Sequence, residues 1–234
     1  MPTFPPGQTL LIDADDTLWE NNIYFERAIA AFISFLNHQE YSPAQVREAL
    51  NQVERENILK HGYGLKSFTR SLVDCYRRLS PDEPSETHLE KVRGFARAIA
   101  SQEIELMPGV RETLKLLAQR HQPILMTKGN HAEQADKLAR SGLGPLFMAV
   151  EIVAEKDAAT YRQVLERHRI SPNSAWMIGN SPKSDINPAL EAGLNAVHLF
   201  HPDTWVLEHA ELEPAPSGQQ LLELDSFGRL ADFF

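Results

Sequence analysis

Leu10, Leu11 and Ile12 form an apolar run with no polar interruption, and three acids, Asp13, Asp15 and Asp16, follow it at once. A short run without alternation predicts a strand covered on both faces of a parallel sheet, with the acids at its carboxyl end. After Trp19 the spacing changes to three and four. Ile23, Phe25, Ala28, Ile29, Phe32, Phe35 and Leu36 predict a helix ending near Asn37 and His38. Ser42-Pro43 then reads as an N-cap and first helical residue, opening a helix through Val46, Leu50, Val53 and Ile58 that stops at Gly62 and Gly64. Two more helices are predicted over 67–78 and 86–101. No strand pattern of comparable strength interrupts this block.

Met107-Pro108-Gly109 breaks the helical pattern, and from there the chain alternates. Helices are predicted over Val110–Arg120, His131–Ser141, Ala158–His168 and Asp185–Ala192, and strands over Pro123–Thr127, Ala149–Val153, Ala175–Ile178 and Ala196–Phe200, with a short last strand at Leu221–Leu224. Alternation at this spacing predicts an α/β fold, a doubly wound, Rossmann-like parallel sheet with helices on both faces, to which the strand ending at Asp13 also belongs. The helical block is then an insertion. It gives a core domain of residues 1–18 and 108–234 and an all-helical cap domain of 19–107, expected to cover the acids because it leaves and rejoins the sheet beside them.

Charge and composition narrow the chemistry. A formal net charge of -9 argues against broad affinity for nucleic acid or an anionic membrane surface, so an anionic substrate must be held by local cations and a metal. The single cysteine, Cys75, excludes an internal disulfide and suits a reducing cytoplasm. Met1 to Gly7 has no basic leader pattern, and no apolar run approaches the roughly 20 residues of a membrane span. A cytoplasmic location is expected; the sequence sets no oligomeric state.

The predicted strand ends carry the candidate chemistry. Asp13 and Asp15, two apart in an extended segment, share a side and can converge, and a divalent, oxygen-preferring cation such as Mg²⁺ relieves their repulsion. A calcium loop of the EF-hand type is excluded, since its required glycine and glutamate positions, counted from Asp13, hold Leu18 and Tyr24. Thr127 closes the next strand with Lys128 behind it. Lys156 follows the third, and Gly179-Asn180-Ser181-Pro182-Lys183-Ser184-Asp185 follows the fourth. One sheet edge would thus present a carboxylate pair, a hydroxyl, an ammonium and a further carboxylate, at the edge where open α/β sheets bind ligands.

That order resembles the haloacid dehalogenase superfamily, chiefly its phosphatases. Asp13-Ala14-Asp15-Asp16-Thr17 matches the first motif, Thr127 the second, Lys156 the third and Gly179 to Asp185 the fourth, and the insertion resembles the family's helical cap. The resemblance implies that Asp13 is the nucleophile and Asp15 the general acid/base. It implies that Thr127, Lys128 and Lys156 bind the substrate phosphate, and that Asp13, Asp185 and the backbone carbonyl of Asp15 hold Mg²⁺. The expected reaction is Mg²⁺-dependent hydrolysis of a small phosphorylated metabolite through an aspartyl-phosphate. Such chemistry needs positive charge on the phosphoryl oxygens and an acid near the leaving group.

One position departs from the pattern. Many members carry Gly-Asp where this chain has Gly179-Asn180, so Asn180 is a candidate for the metal's outer ligands, as is Asp16. A phosphomutase shares all these motifs and is the alternative enzyme; a dehalogenase needs no leaving-group acid at Asp15, and a non-catalytic binding protein on the same fold is the remaining alternative. A signalling receiver is excluded by the acids clustering on the first strand and by the long insertion.

Overall fold

The structure is a computed structural model that describes residues 4–36 and 40–234. The predicted end of the first helix near Asn37 and His38 lies outside the described residues. The chain forms two compact units, one of residues up to Glu20 with Ile104–Phe234, the other Asn21–Glu103.

The first unit is built on six strands, β1 (Thr9–Ile12), β2 (Gln122–Lys128), β3 (Ala149–Val153), β4 (Ala175–Gly179), β5 (Asn195–Leu199) and β6 (Leu221–Leu224). They pair in the order β3-β2-β1-β4-β5-β6, every pair parallel. The chain winds outward from β1 to β3 and then returns across β1 to β4. This reversal opens a crevice beyond the carboxyl ends of β1 and its neighbours, the position where doubly wound sheets hold ligands. Alternation along β1 explains its lack of polar residues. Leu10 and Ile12 enter a core with Val110, Leu114 and Leu117 of α5 (Val110–Arg120) and Leu138 of α6 (His131–Ser141). Leu11 enters the opposite core with Tyr161, Val164 and Leu165 of α7 (Ala158–His168). Asn130 caps α6 and Asp157 caps α7, each accepting from backbone N–H groups of the first turn.

The stems of the insertion belong to the first unit for a local reason. Trp19, fully buried, bridges antiparallel to Leu106, and the Met107 N–H donates to the Leu18 carbonyl at 2.9 Å. The clustered helical unit therefore starts at Asn21 and ends at Glu103, inside the span drawn from sequence.

That unit contains α1 (Asn22–Leu36), α2 (Pro43–His61), α3 (Leu65–Leu79) and α4 (Glu86–Ala100), with its own core around Phe32, Leu50, Val53, Phe68, Leu72 and Val92. Ser42 caps α2 in a reciprocal box with Gln45, as the Ser-Pro start foretells. Gly62 ends α2 at φ 72°, a conformation costly for any residue with a Cβ.

Two elements differ from the sequence reading. The helix expected over Asp185–Ala192 is a π-helical turn, Pro182–Ile186, followed by short α8 (Asn187–Glu191). The turn is widened because the N–H groups of both Asp185 and Ile186 donate to the Ser181 carbonyl. The fifth strand begins at Asn195, which pairs with Trp176, and stops before Phe200, whose side chain is exposed. Among the described residues, no helix is long and apolar enough to cross a membrane.

Candidate active site

Three carboxyl ends of the sheet converge on one ammonium. Lys156, in the loop between β3 and α7, sends its Nζ to Asp13 Oδ1 at 2.5 Å and to Asp185 Oδ1 at 2.7 Å. The lysine side chain is only 1 % exposed, so this is a buried ionic cluster with two anions to one cation. Burial, and then the Asp185 charge, push the Asp13 carboxyl up to about 7 against the pull of Lys156. Burial works to lower the Lys156 pKa, but Asp13 and Asp185 outweigh it and hold the ammonium above its usual range.

The local sequence fixes each member. Asp13 follows β1 directly, and its N–H donates to the Ile178 carbonyl of β4 at 2.9 Å. Asp185 sits in the π turn, where its Oδ2 accepts from the Ser181 N–H at 3.0 Å. Gly179 lets it lie there, since a Cβ at that position would stand 2.2 Å from Asp185 Oδ2. The Thr17 hydroxyl lies 3.1 Å from Asp13 Oδ2 and 3.3 Å from Asn180 Oδ1, and with one proton it serves one of them at a time. Asn180 Nδ2 donates to the Thr204 hydroxyl at 3.1 Å. An aspartate could not make that donation, which gives the amide at this position a physical reason.

Asp15 points to different partners. Its carboxylate accepts from Lys137 Nζ at 2.8 and 3.0 Å, from Gln134 Nε2 at 2.9 Å and from Trp19 Nε1 at 2.7 Å. Burial works to raise its pKa, yet Lys137, Gln134 and Trp19 together hold it below the ordinary carboxylate range. Lys137 and Gln134 went unnoticed in the sequence. They lie three residues apart on α6 and so share a face, but nothing local says that this face meets β1.

Thr127 lies buried at the end of β2, beside these groups in the sheet order. Lys128, expected to accompany it at a phosphate, is committed elsewhere. Its Nζ contacts Ser184 Oγ and Glu208 Oε1 at 2.7 Å and Glu155 Oε1 at 3.1 Å, tying β2 to the loops after β3 and β5. Glu208 is held below its usual range by that ammonium, despite its burial. We therefore do not carry Lys128 forward as a phosphate ligand.

Asp16 has the left-handed φ of 59°, a strain of about 1 kcal/mol or more for a residue with a Cβ. Its carboxylate, that of Glu20 and the His201 ring offer ligand atoms within 4.8 Å of one another. The His201 Nδ1 accepts the Asp203 N–H at 3.3 Å, and its Nε2 lies 3.5 Å from Glu20 Oε2.

The sequence profile of the haloacid dehalogenase-like hydrolases matches residues 8–193, from the start of β1 past Asp185. This chain is a haloacid dehalogenase-like hydrolase. The crystal structure of a haloacid dehalogenase-like family hydrolase from Xanthomonas campestris is 30% identical, covers 98% of this chain and 92% of its own, and superposes with a TM-score of 0.83. The Bacillus subtilis HAD-hydrolase YfnB, solved with magnesium, is 20% identical over 97% of each chain with a TM-score of 0.68. The L-2-haloacid dehalogenase of Xanthobacter autotrophicus is 16% identical over 96% of each chain with a TM-score of 0.61. At these lower identities the likeness shows the fold alone, and one fold carries dehalogenases and phosphoryl-transfer enzymes alike. No curated protein sequence matches the chain.

The hydrolase's own residues fit the Mg²⁺ that its family generally uses. Asp13 and Asp185 offer hard oxygen donors, and the two carboxylates share the single ammonium of Lys156. An added divalent cation would relieve it.

Proposed function

We propose that this hydrolase is a Mg²⁺-dependent phosphatase that cleaves a small phosphomonoester through an aspartyl-phosphate on Asp13. The observation that carries the reading is Asp15, a carboxylate two residues beyond the proposed nucleophile and oriented by three donors. Carbon-halogen cleavage releases a halide, which needs no proton and hence no acid at this place. Ester hydrolysis needs one.

In the first step an Asp13 oxygen attacks phosphorus, the bond from phosphorus to the ester oxygen breaks, and that oxygen takes its electron pair and a proton from the Asp15 carboxyl. In the second, water attacks phosphorus while the Asp15 carboxylate accepts its proton, and the bond from phosphorus to Asp13 breaks to release inorganic phosphate. Lys156 and the Thr127 hydroxyl contact the phosphoryl oxygens and stabilise charge that grows on them. Asp13, Asp185 and the Asp15 backbone carbonyl would hold Mg²⁺, which supplies further positive charge to those oxygens when bound. Held as a carboxylate at rest, Asp15 is ready as the base of the second step, and the proton it gives in the first step is one it takes up from the phosphomonoester, bound as its monoanion. Its low pKa also favours substrates whose leaving oxygen departs readily.

A cytoplasmic enzyme is consistent with the lone Cys75, buried and with its thiol pushed up to about 12 by that burial, hence inert. A panel of phosphorylated metabolites and 2-haloacids tests the proposal, read by phosphate and halide release with and without Mg²⁺. Mg²⁺-dependent phosphate release without halide release is expected. Halide release alone, or an isomeric phosphoester formed without free phosphate, would overturn it.

A further inference from the structure

The helical unit carries a basic groove that the chemistry at Asp13 leaves unexplained. A cavity of about 630 Å³ is lined by Lys60 at the end of α2, by Lys66, Arg70 and Arg77 of α3, and by Arg93 of α4, with Asp74 the one carboxylate on its wall. Residues 21–103 carry equal numbers of basic and acidic residues, so the chain's net charge of -9 resides outside this unit. The groove is thus a local concentration of positive charge on a neutral unit.

Pairing sharpens the contrast. Arg47, Arg55, Arg78 and Arg97 each meet a glutamate at 2.5 to 3.4 Å, and Arg93 is held by Glu86 and Glu90. Among the described residues no carboxylate lies within 4.0 Å of the charged groups of Lys60, Lys66, Arg70 or Arg77. Asp74 lies more than 4.0 Å from the charged groups of these four, its Oδ2 accepting from Asn57 Nδ2 at 3.1 Å, and its single charge offsets only part of theirs. Arg70 Nη1 instead stands 2.5 Å from His61 Nε2, a contact in which the guanidinium is the donor. Like charges that outnumber their counter-charges repel, and a bound anion reduces that repulsion.

Spacing selects the anion. Lys66, Arg70 and Arg77 fall at intervals of four and seven residues, one and two turns, so they share one face of α3 and extend over about 16 Å. A single phosphate reaches one end of such a row. A linear chain of phosphoryl groups can contact several members. We infer that this groove binds a small polyphosphate anion, of the pyrophosphate or triphosphate class, along α3.

Calorimetric titration of inorganic tripolyphosphate into the full chain, with chelator present so that Mg²⁺ contributes nothing, tests this. Wild type should bind one equivalent, and orthophosphate should bind about tenfold more weakly or worse, because it meets fewer cations. The exposed-face variant Arg70→Glu/Arg77→Glu should keep its thermal midpoint and lose about tenfold or more in affinity, whereas Arg55→Glu, on an already paired arginine, should change it less than about twofold. Asp13→Asn should bind tripolyphosphate as wild type does, which separates this site from the proposed phosphatase chemistry. Absent binding, equal losses in Arg55→Glu and the double variant, undiminished binding in the double variant, or equally tight binding of duplex DNA would each overturn the inference.

Discussion

Glu54 lies on the buried face of α2, 5 % exposed, and its Oε2 has no hydrogen-bond partner. Burial pushes its carboxyl from 4.5 up to about 7, with Arg47 pulling back and Glu26 adding to the rise. Between those two values the folded chain keeps a proton that the unfolded chain has lost. Unfolding then releases it, so stability falls as pH rises through this window. At about 1.4 kcal/mol per pH unit the loss across the whole window comes to about 3.5 kcal/mol, a large share of a typical domain's stability. Glu54→Gln keeps the shape and removes the charge. The variant should match wild type near about pH 5 and exceed it by about 2–3 kcal/mol near about pH 8.5, read from urea unfolding of the full chain. The Arg47–Glu26 pair should persist in both. An offset between the two proteins that is the same at both pH values, or a wild type more stable in alkali, would refute the argument that Glu54 is buried without adequate compensation.

Two further substitutions probe the ionic cluster. Lys156→Met removes the cation between Asp13 and Asp185, and should cost about 3 kcal/mol or more of stability at neutral pH, a deficit that shrinks on acidification and on adding Mg²⁺; denaturant titrations at several pH values and Mg²⁺ concentrations would show it. Gly179→Ala drives a methyl group into Asp185 Oδ2 and should cost about 1–3 kcal/mol while abolishing turnover, measured by thermal unfolding and phosphate release. Retention of full activity would mean that Asp185 can move without consequence.

The sheet was legible because β1, β2 and β4 have short apolar runs that end close to chemistry-bearing residues, and parallel sheets bring those residues to one edge. Asp13, Lys156 and Asp185 meet for that reason. The helical unit was legible from its periodicity and from Ser42, whose capping box forms as the Ser-Pro pair suggests. The surroundings of Asp15 were not, because Lys137 and Gln134 reach it across 122 and 119 residues and depend on how α6 packs beside β1. Lys128 misled for the converse reason. Its neighbour Thr127 suggested a shared role, while its partners Ser184 and Glu208 lie 56 and 80 residues away. The π turn at Pro182–Ile186 also escaped the reading, since a proline after a strand signals a helix start whichever turn geometry follows.

The central claim is that Asp13 accepts the phosphoryl group and Asp15 supplies and removes protons. Asp15→Asn, given Mg²⁺ and an aryl phosphate whose leaving group needs no acid, should form the aspartyl-phosphate and hydrolyse it slowly. Acid-quenched protein, digested and weighed by mass spectrometry, should carry one phosphoryl group on the peptide containing Asp13, and the Asp13→Asn/Asp15→Asn protein should carry none. Wild-type turnover of that substrate with no trapped phosphoryl group in Asp15→Asn, or with the group on a peptide other than the one containing Asp13, would contradict the account.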